Sequence, residues 1–375
     1  MIIVRCILYA ALAASPFAVV AAPQPEISVP EFKRSSQVFG GNLNTWGVAC
    51  ADIDNDGDAD IILATLDTRS LVLLNDGTGH FVESGQEFPN EMHGIDIGDV
   101  DLDGDLDLFF APIREQRRPL FLNDGRNSFE STSFTSHCSE SVKLIDLEND
   151  GDLDAYFATK GRIYLNDGAG NFVLSDQSLP GFGGLCDLNN DGFVDFFAVG
   201  VNEGQRGFVV HVNKGDGRFA EFDFVPKEYC VFGYFDFADV DNDGDTDVIY
   251  TNPGKDESHP SGILLNDGTG RLTDSGQDLP IAGIQGKAKA GDLNGDGFVD
   301  VIITNADSPA RIMLNDGSGT MIDSGLRLGE GKGFVNFLIQ DFDNDGDRDV
   351  FLVNRRTGNH GLWFNQSVSG RSGDR

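Results

Sequence analysis

Seven segments of this chain carry acidic residues at a spacing suited to a hard cation. Each reads Asp, apolar, acid or Asn, any residue, Asp, Gly, two residues, Asp, and the copies begin at Asp52, Asp99, Asp146, Asp187, Asp239, Asp292 and Asp341. Calcium takes roughly six to eight oxygen ligands at short range, which one loop supplies when carboxylates recur at alternate positions and Gly permits the bend between them. The candidate ligands are Asp52, Asp54, Asp56 and Asp60 in loop one, and Asp99, Asp101, Asp103 and Asp107 in loop two. Loop three offers Asp146, Glu148, Asp150 and Asp154, and loop four Asp187, Asn189, Asp191 and Asp195. Loops five, six and seven offer Asp239, Asp241, Asp243 and Asp247; Asp292, Asn294, Asp296 and Asp300; and Asp341, Asp343, Asp345 and Asp349. These positions hold 26 of the 61 acidic residues. Up to seven calcium ions would relieve a charge that otherwise opposes compaction.

Three other readings compete. An EF-hand opens with the same spacing but needs a Glu at the twelfth position and flanking helices. Here that position is Leu63, Phe110, Phe157, Ala198, Tyr250, Ile303 and Leu352, apolar every time. Magnesium keeps its waters and demands strict octahedral geometry. Asp and Gly also form ordinary turns, but seven copies in register exceed what turn chemistry requires.

The elements that must position the loops are strands. Apolar runs such as Ile61-Ile62-Leu63, Leu108-Phe109-Phe110, Val248-Ile249-Tyr250 and Val301-Ile302-Ile303 follow the loops and have the length and branching of buried strands. Between loops, an Asn-Asp-Gly-x-Gly-x-Phe pattern recurs at Asn75, Asn166, Asn266 and Asn315, with looser versions at Asn123 and Asn213, and reads as a hairpin turn. With the strand before each loop, the unit has four strands and repeats every 41 to 53 residues. A radial array of such units is an all-β, seven-bladed β-propeller of four-stranded antiparallel blades. The last unit stops at Asn365 without a fourth strand, whereas Phe32 to Phe39, within the segment 31–39, align position by position with Phe81–Phe88, the fourth strand of the first unit. The N-terminal segment therefore completes blade seven and closes the ring.

The sequence resembles the VCBS and FG-GAP repeat proteins, among them the integrin α-subunit head and some fungal lectins. The resemblance spans Phe32 to about Asn365 and rests on the DxDxDGxxD loops, the LNDGxGxF hairpins and the permuted terminal strand. It implies calcium between the first two strands of each blade, on the face opposite the usual ligand face.

If the strands alternate, the Asp loops and Asn-Asp-Gly hairpins share one face. The loops of the other face carry Arg69, Arg114, Arg117, Arg118, Lys160, Arg162, Arg206, Lys255, Arg311, Arg355 and Arg356. Such a face suits an anionic extracellular glycan or protein, with Arg114, Arg117, Arg118, Arg162, Arg206, Arg355 and Arg356 as the contact residues. The reading is a non-catalytic binding or adhesion module, a monomer with structural calcium. Nucleic acid is disfavoured at a net charge of −34. The alternative is a calcium-dependent polysaccharide lyase, whose base would come from His93, His137, His259 or His360.

Residues 1–22 read as a signal peptide, with Arg5, an apolar run from Ile7 to Val20, and cleavage near Ala21 or Ala22. Export to a secreted or periplasmic location follows, and no segment is long enough to span a bilayer. The propeller occupies 23–367, and 368–375 is a disordered tail. Cys50, Cys138, Cys186 and Cys230 then permit two disulfides by three connectivities.

Overall fold

The strand after each Asp loop is buried on both sides, and this sets the architecture. In Asp60–Thr65, Ile61 and Leu63 join one apolar cluster while Ile62 and Ala64 join another, as the two-residue period of a strand requires. The computed structural model describes residues 27–115, 117–227, 233–252, 260–280 and 286–367. Among them lie seven sheets, each of four antiparallel strands. Blade one is Thr45–Ala51, Asp60–Thr65, Leu71–Asn75 and Phe81–Glu83, in that order across the sheet. The described residues include no α-helix; a 3-10 turn at Ala158–Lys160 is the one helical element among them.

The core is divided among the blade interfaces. Seven clusters of buried side chains occur, each shared by two adjacent blades. Aromatic rings fill the gaps edge to face, as where Phe109 of blade two meets Phe157 of blade three at 5.6 Å. No blade has a core of its own, so each is stable only between neighbours.

Closure is as the chain ends predict. Phe32–Arg34 pairs antiparallel with Gly361–Asn365, Phe32 opposite Asn365 and Arg34 opposite Trp363. Phe39 bridges His360 and sets its ring 5.2 Å from Phe351 and 5.7 Å from Phe81, so the same segment ties blade seven to blade one.

The first strand of every blade faces the ring axis and lines a central funnel of about 410 Å³. The strands approach most closely at glycines: a Cβ on Gly47 would lie 2.9 Å from Gly94 Cα.

The sequence permits two disulfides without choosing a pairing. Cys50, Cys138 and Cys186 are free thiols, each on a different blade or loop, so two disulfides among the four do not form. Cys230, Lys255, His259, the expected signal peptide 1–22 and the tail 368–375 lie outside the described residues. Among the described residues no helix is long and apolar enough to cross a membrane.

Candidate metal loops and the central funnel

Each Asp loop is shaped from within. In loop one the Asp52 carboxylate accepts the N–H groups of Asp56 and Gly57 at 3.0 and 2.9 Å, and Asp56 accepts that of Asp58 at 2.9 Å. Gly57 has φ +97°, a conformation that L side chains resist. Asp60, at the start of the following strand, accepts Ile53 N–H at 3.0 Å and Asn75 N–H at 2.8 Å. The equivalent contact from the hairpin Asn to the ninth-position Asp measures 2.8 to 2.9 Å in all seven blades. Loop and hairpin therefore share one face.

The side chain of that Asn does something its place in a turn motif does not suggest. Asn75 Nδ2 donates to Phe342 O of blade seven at 2.9 Å, and Asn123 Nδ2 to Ile53 O of blade one at 2.8 Å. Asn166, Asn213, Asn266, Asn315 and Asn365 donate in the same way to Val100, Leu147, Leu188, Val240 and Leu293. The acceptor is always the second residue of the preceding blade's Asp loop. Seven side-chain clamps thus run round the ring, each anchoring one loop to the next blade.

Carboxylates converge in four loops. Oxygens of Asp52, Asp54 and Asp60 lie within 4.8 Å of one another, and so do those of Asp99, Asp101 and Asp107, of Asp239, Asp241 and Asp247, and of Asp341, Asp343 and Asp349. In these clusters Asp54 Oδ1, Asp101 Oδ1, Asp241 Oδ1, Asp341 Oδ1 and Asp343 Oδ1 are buried and lack a hydrogen-bond partner. Burial is the largest cause raising Asp54, Asp101, Asp241 and Asp343 above the usual carboxylate range, followed by the fifth-position Asp of the same loop. Burial pushes Asp60, Asp107 and Asp349 up to about 7 and Asp247 to about 6, against the opposing backbone donors. Like charges this close repel by on the order of a few kcal/mol per pair at an effective dielectric near 20, less where water screens them. Orphaned oxygens amid mutually repelling carboxylates are what a hard divalent cation satisfies, so these residues fit calcium. Asp56, Asp103, Asp243 and Asp345 stand outside the converging triplets; each accepts the N–H two residues on, at 2.9 to 3.0 Å.

The remaining loops differ. Asn189 Nδ2 donates to Asp191 and Asn294 Nδ2 to Asp296, both at 2.9 Å, so in loops four and six the third position offers an amide tied to the fifth-position acid in place of a carboxylate. Asp187, Asp195, Asp292 and Asp300 keep the loop-shaping contacts seen elsewhere. In loop three Asp146 and Asp154 do likewise, but Glu148 and Asp150 join no triplet among the described residues. There Asp152 Oδ1 is the buried atom without a partner, and burial followed by Asp150 pushes its carboxyl to about 6.

On the opposite face the arginines are mostly engaged. Arg114 reaches Glu91 at 2.9 Å and Arg117 pairs with the same carboxylate; Arg356 meets Asp307 at 3.1 Å, and Arg69 meets Glu83 at 2.7 Å. Arg118 and Arg206 are exposed and Arg162 is half-buried. The Arg355 guanidinium lies 3.9 Å from the Trp46 ring centre.

The funnel gathers residues that no motif joins. Trp46 stacks on His93 at 4.2 Å, and His93 Nδ1 lies 2.8 Å from Glu140 O. Lys287 Nζ lies 4.6 Å from the Tyr234 ring centre. Lys143 and Lys289 line the same wall, with Asp236 beside Lys289. Burial lowers His93 to about 4 and Lys287 to about 7; Lys289 and Lys143 add to the latter shift. Of the other candidate bases, His360 is buried, accepts Asn354 N–H at Nδ1 and faces Thr45 Oγ1 at 2.9 Å through Nε2. His137 is bonded to Tyr164 Oη. Both histidines are fixed in structural bonds.

No curated protein matches the chain in sequence. A crystal structure of BBS1N in complex with ARL6DN, soaked with mercury, covers 89% of this chain and 96% of that chain at 9% identity and TM-score 0.59. The lead-soaked crystal of that complex covers 86% and 93% at 10% identity and TM-score 0.55. The SapL1 lectin in complex with alpha methyl fucoside covers 78% of this chain and 100% of that chain at 12% identity and TM-score 0.48. Likeness at these identities is one of fold. The FG-GAP-like repeat matches residues 52–110, 187–250, 239–301 and 292–352, more than half of the chain and four stretches that begin at Asp loops. On that coverage, and on a closed ring of seven such units, the chain belongs to the FG-GAP-like repeat family.

Proposed function

We propose that this protein is an exported, calcium-binding propeller that serves as a non-catalytic binding module for an extracellular glycan or protein. The observation that carries it is the set of orphaned carboxylate oxygens in loops one, two, five and seven. Calcium there is structural. It would be held by the first-, third- and ninth-position acids, with the fifth-position acid supporting the loop, and would supply the positive charge that lets them stay ionised. Loops three, four and six would bind more weakly, because Glu148 is longer and Asn189 and Asn294 bring amides. Metal loops anchored to the next blade by an Asn leave the opposite face and the funnel for a ligand.

The lyase reading requires a base free to reach substrate. His360 and His137 are held by other residues, and burial keeps His93 neutral but weakly basic. Incubation with uronic-acid polymers, read as absorbance of unsaturated product, decides between the two: turnover sinks the non-catalytic reading. A glycan and protein array with and without chelator tests the binding reading, which fails if the calcium-loaded protein captures nothing.

A further inference from the structure

The funnel contains three lysines, and their surroundings are unequal. Lys143 reaches Asp96 at 3.5 Å. Lys289 is attracted by Asp236, which in turn accepts Ala290 N–H at 2.7 Å. Lys287 has the Tyr234 ring and, among the described residues, no carboxylate paired with it; the charges acting on it are Lys289 and Lys143. Lys287 is half-buried with like charges acting on it, and Glu140 lines the same wall and acts on Tyr234, so positive potential gathers at Lys287 and not over the whole funnel. A methionine would cover the same surface at lower electrostatic cost, since an uncompensated buried charge is destabilising.

The rest of the wall suits a small polar ring. The cavity, at about 410 Å³, has the size of a small-molecule site. Gly183, Gly184 and Gly233 bring bare backbone to its surface, and Tyr234 adds an aromatic edge beside the ammonium. The Arg355 guanidinium lies 3.9 Å from the ring centre of Trp46, a residue of the funnel wall whose ring also lies against His93, so a second cation borders the cavity.

We propose that the funnel binds one uronate residue of an acidic glycan, with its carboxylate on Lys287 Nζ and its ring against Tyr234. This rests on the binding-module reading and places its ligand site in the funnel, away from the arginine rim. A single uncompensated ammonium matches a single carboxylate. A sulfate or an acidic peptide carries the same charge without a pyranose ring to fill the wall, and the test separates these.

Calcium-loaded full-length protein is titrated calorimetrically, at one ionic strength, with galacturonate and its trimer, galactose, N-acetylglutamate and sodium sulfate. The uronates are expected to bind and the other three to bind at least tenfold more weakly. Lys287→Met should weaken uronate binding at least tenfold with no fall in melting temperature, and Lys287→Arg should retain most of it. The triple variant Arg114→Ser, Arg117→Ser, Arg118→Ser should bind as the wild type does. Should the Met variant not fold, the contrast between Lys287→Arg and Lys287→Gln carries the comparison. Equal binding of sulfate or N-acetylglutamate overturns the inference, as does retention of affinity by Lys287→Met. Absence of uronate binding by the wild type also overturns it, while capture of some other glycan or a protein on the array would leave the broader reading standing.

Discussion

Asn75 Nδ2 donates to the carbonyl of Phe342 at 2.9 Å across 267 residues of chain, and this is one of seven equivalent bonds that clamp each blade to the one before it. Each clamp satisfies a buried carbonyl that has no strand partner. Asn75→Ala or Asn266→Ala should therefore cost about 1 to 3 kcal/mol, the penalty for leaving such a group unpaired. Chemical denaturation measures it. Exposed Asn171, which bonds only to nearby Asp167, is the control and should cost under about 0.5 kcal/mol when replaced by Ala. Equal losses at Asn75 and Asn171 would contradict the clamp.

Ring closure depends on Phe39, buried between Phe351 and Phe81. Phe39→Ala should destabilise by about 3 to 5 kcal/mol through lost burial and the cavity left behind. Its neighbour Val38 is 72% exposed, and Val38→Ala should leave the denaturation midpoint unchanged. Similar midpoints for the two variants would mean that the terminal segment contributes little to closure.

The loops should differ in calcium uptake. Asp101→Asn replaces an orphaned buried oxygen in a converging triplet and should reduce bound calcium by one ion, counted by native mass spectrometry. Asn189→Ala removes an amide already bonded to Asp191 and should leave the tightly bound count as it was. Loss of an ion from the second variant and none from the first would reverse the assignment of strong and weak loops.

Acid should stabilise the metal-free ring. Asp60, Asp107 and Asp349 titrate near 7 in the folded chain against an ordinary value of 3.8, chiefly through burial. Between those values the folded state holds protons that the unfolded chain has released, so stability falls as pH rises from about 4 to about 7. In excess chelator the melting temperature should be higher at pH 5 than at pH 8. With calcium the order should reverse, because the ion needs the carboxylates deprotonated. A chelated protein that melts higher at pH 8 would show that these side chains do not govern the behaviour.

Much of this architecture was legible in the sequence because the repeat writes it seven times. The Asp spacing, the apolar strand at position twelve and the match of residues 31–39 to a fourth strand all follow from local patterns. The Asn clamp did not, since Asn-Gly explains itself as a turn and the bond to the next blade is invisible to spacing. The pairing of Arg117 was hidden for a related reason: Glu91 lies 26 residues away in sequence and meets it only in three dimensions. Trp46, Tyr234 and Lys287 meet in the funnel because first strands of separate blades converge on one axis, and Arg355, just past the second strand Asp349–Asn354, lies on the Trp46 ring. No sequence signal marks them. Whether the cysteines pair was not legible either: among the described residues Cys50, Cys138 and Cys186 are free, held on separate elements of the ring.

The central claim is that calcium in the Asp loops is part of the scaffold. Its most direct test is a calcium titration of metal-free protein, following heat of binding and melting temperature together. Tight uptake of at least four ions is expected, at the loops where carboxylates converge, with a melting temperature that rises as they fill and falls again on chelation. Uptake of no calcium, or a melting temperature indifferent to it, would contradict the account.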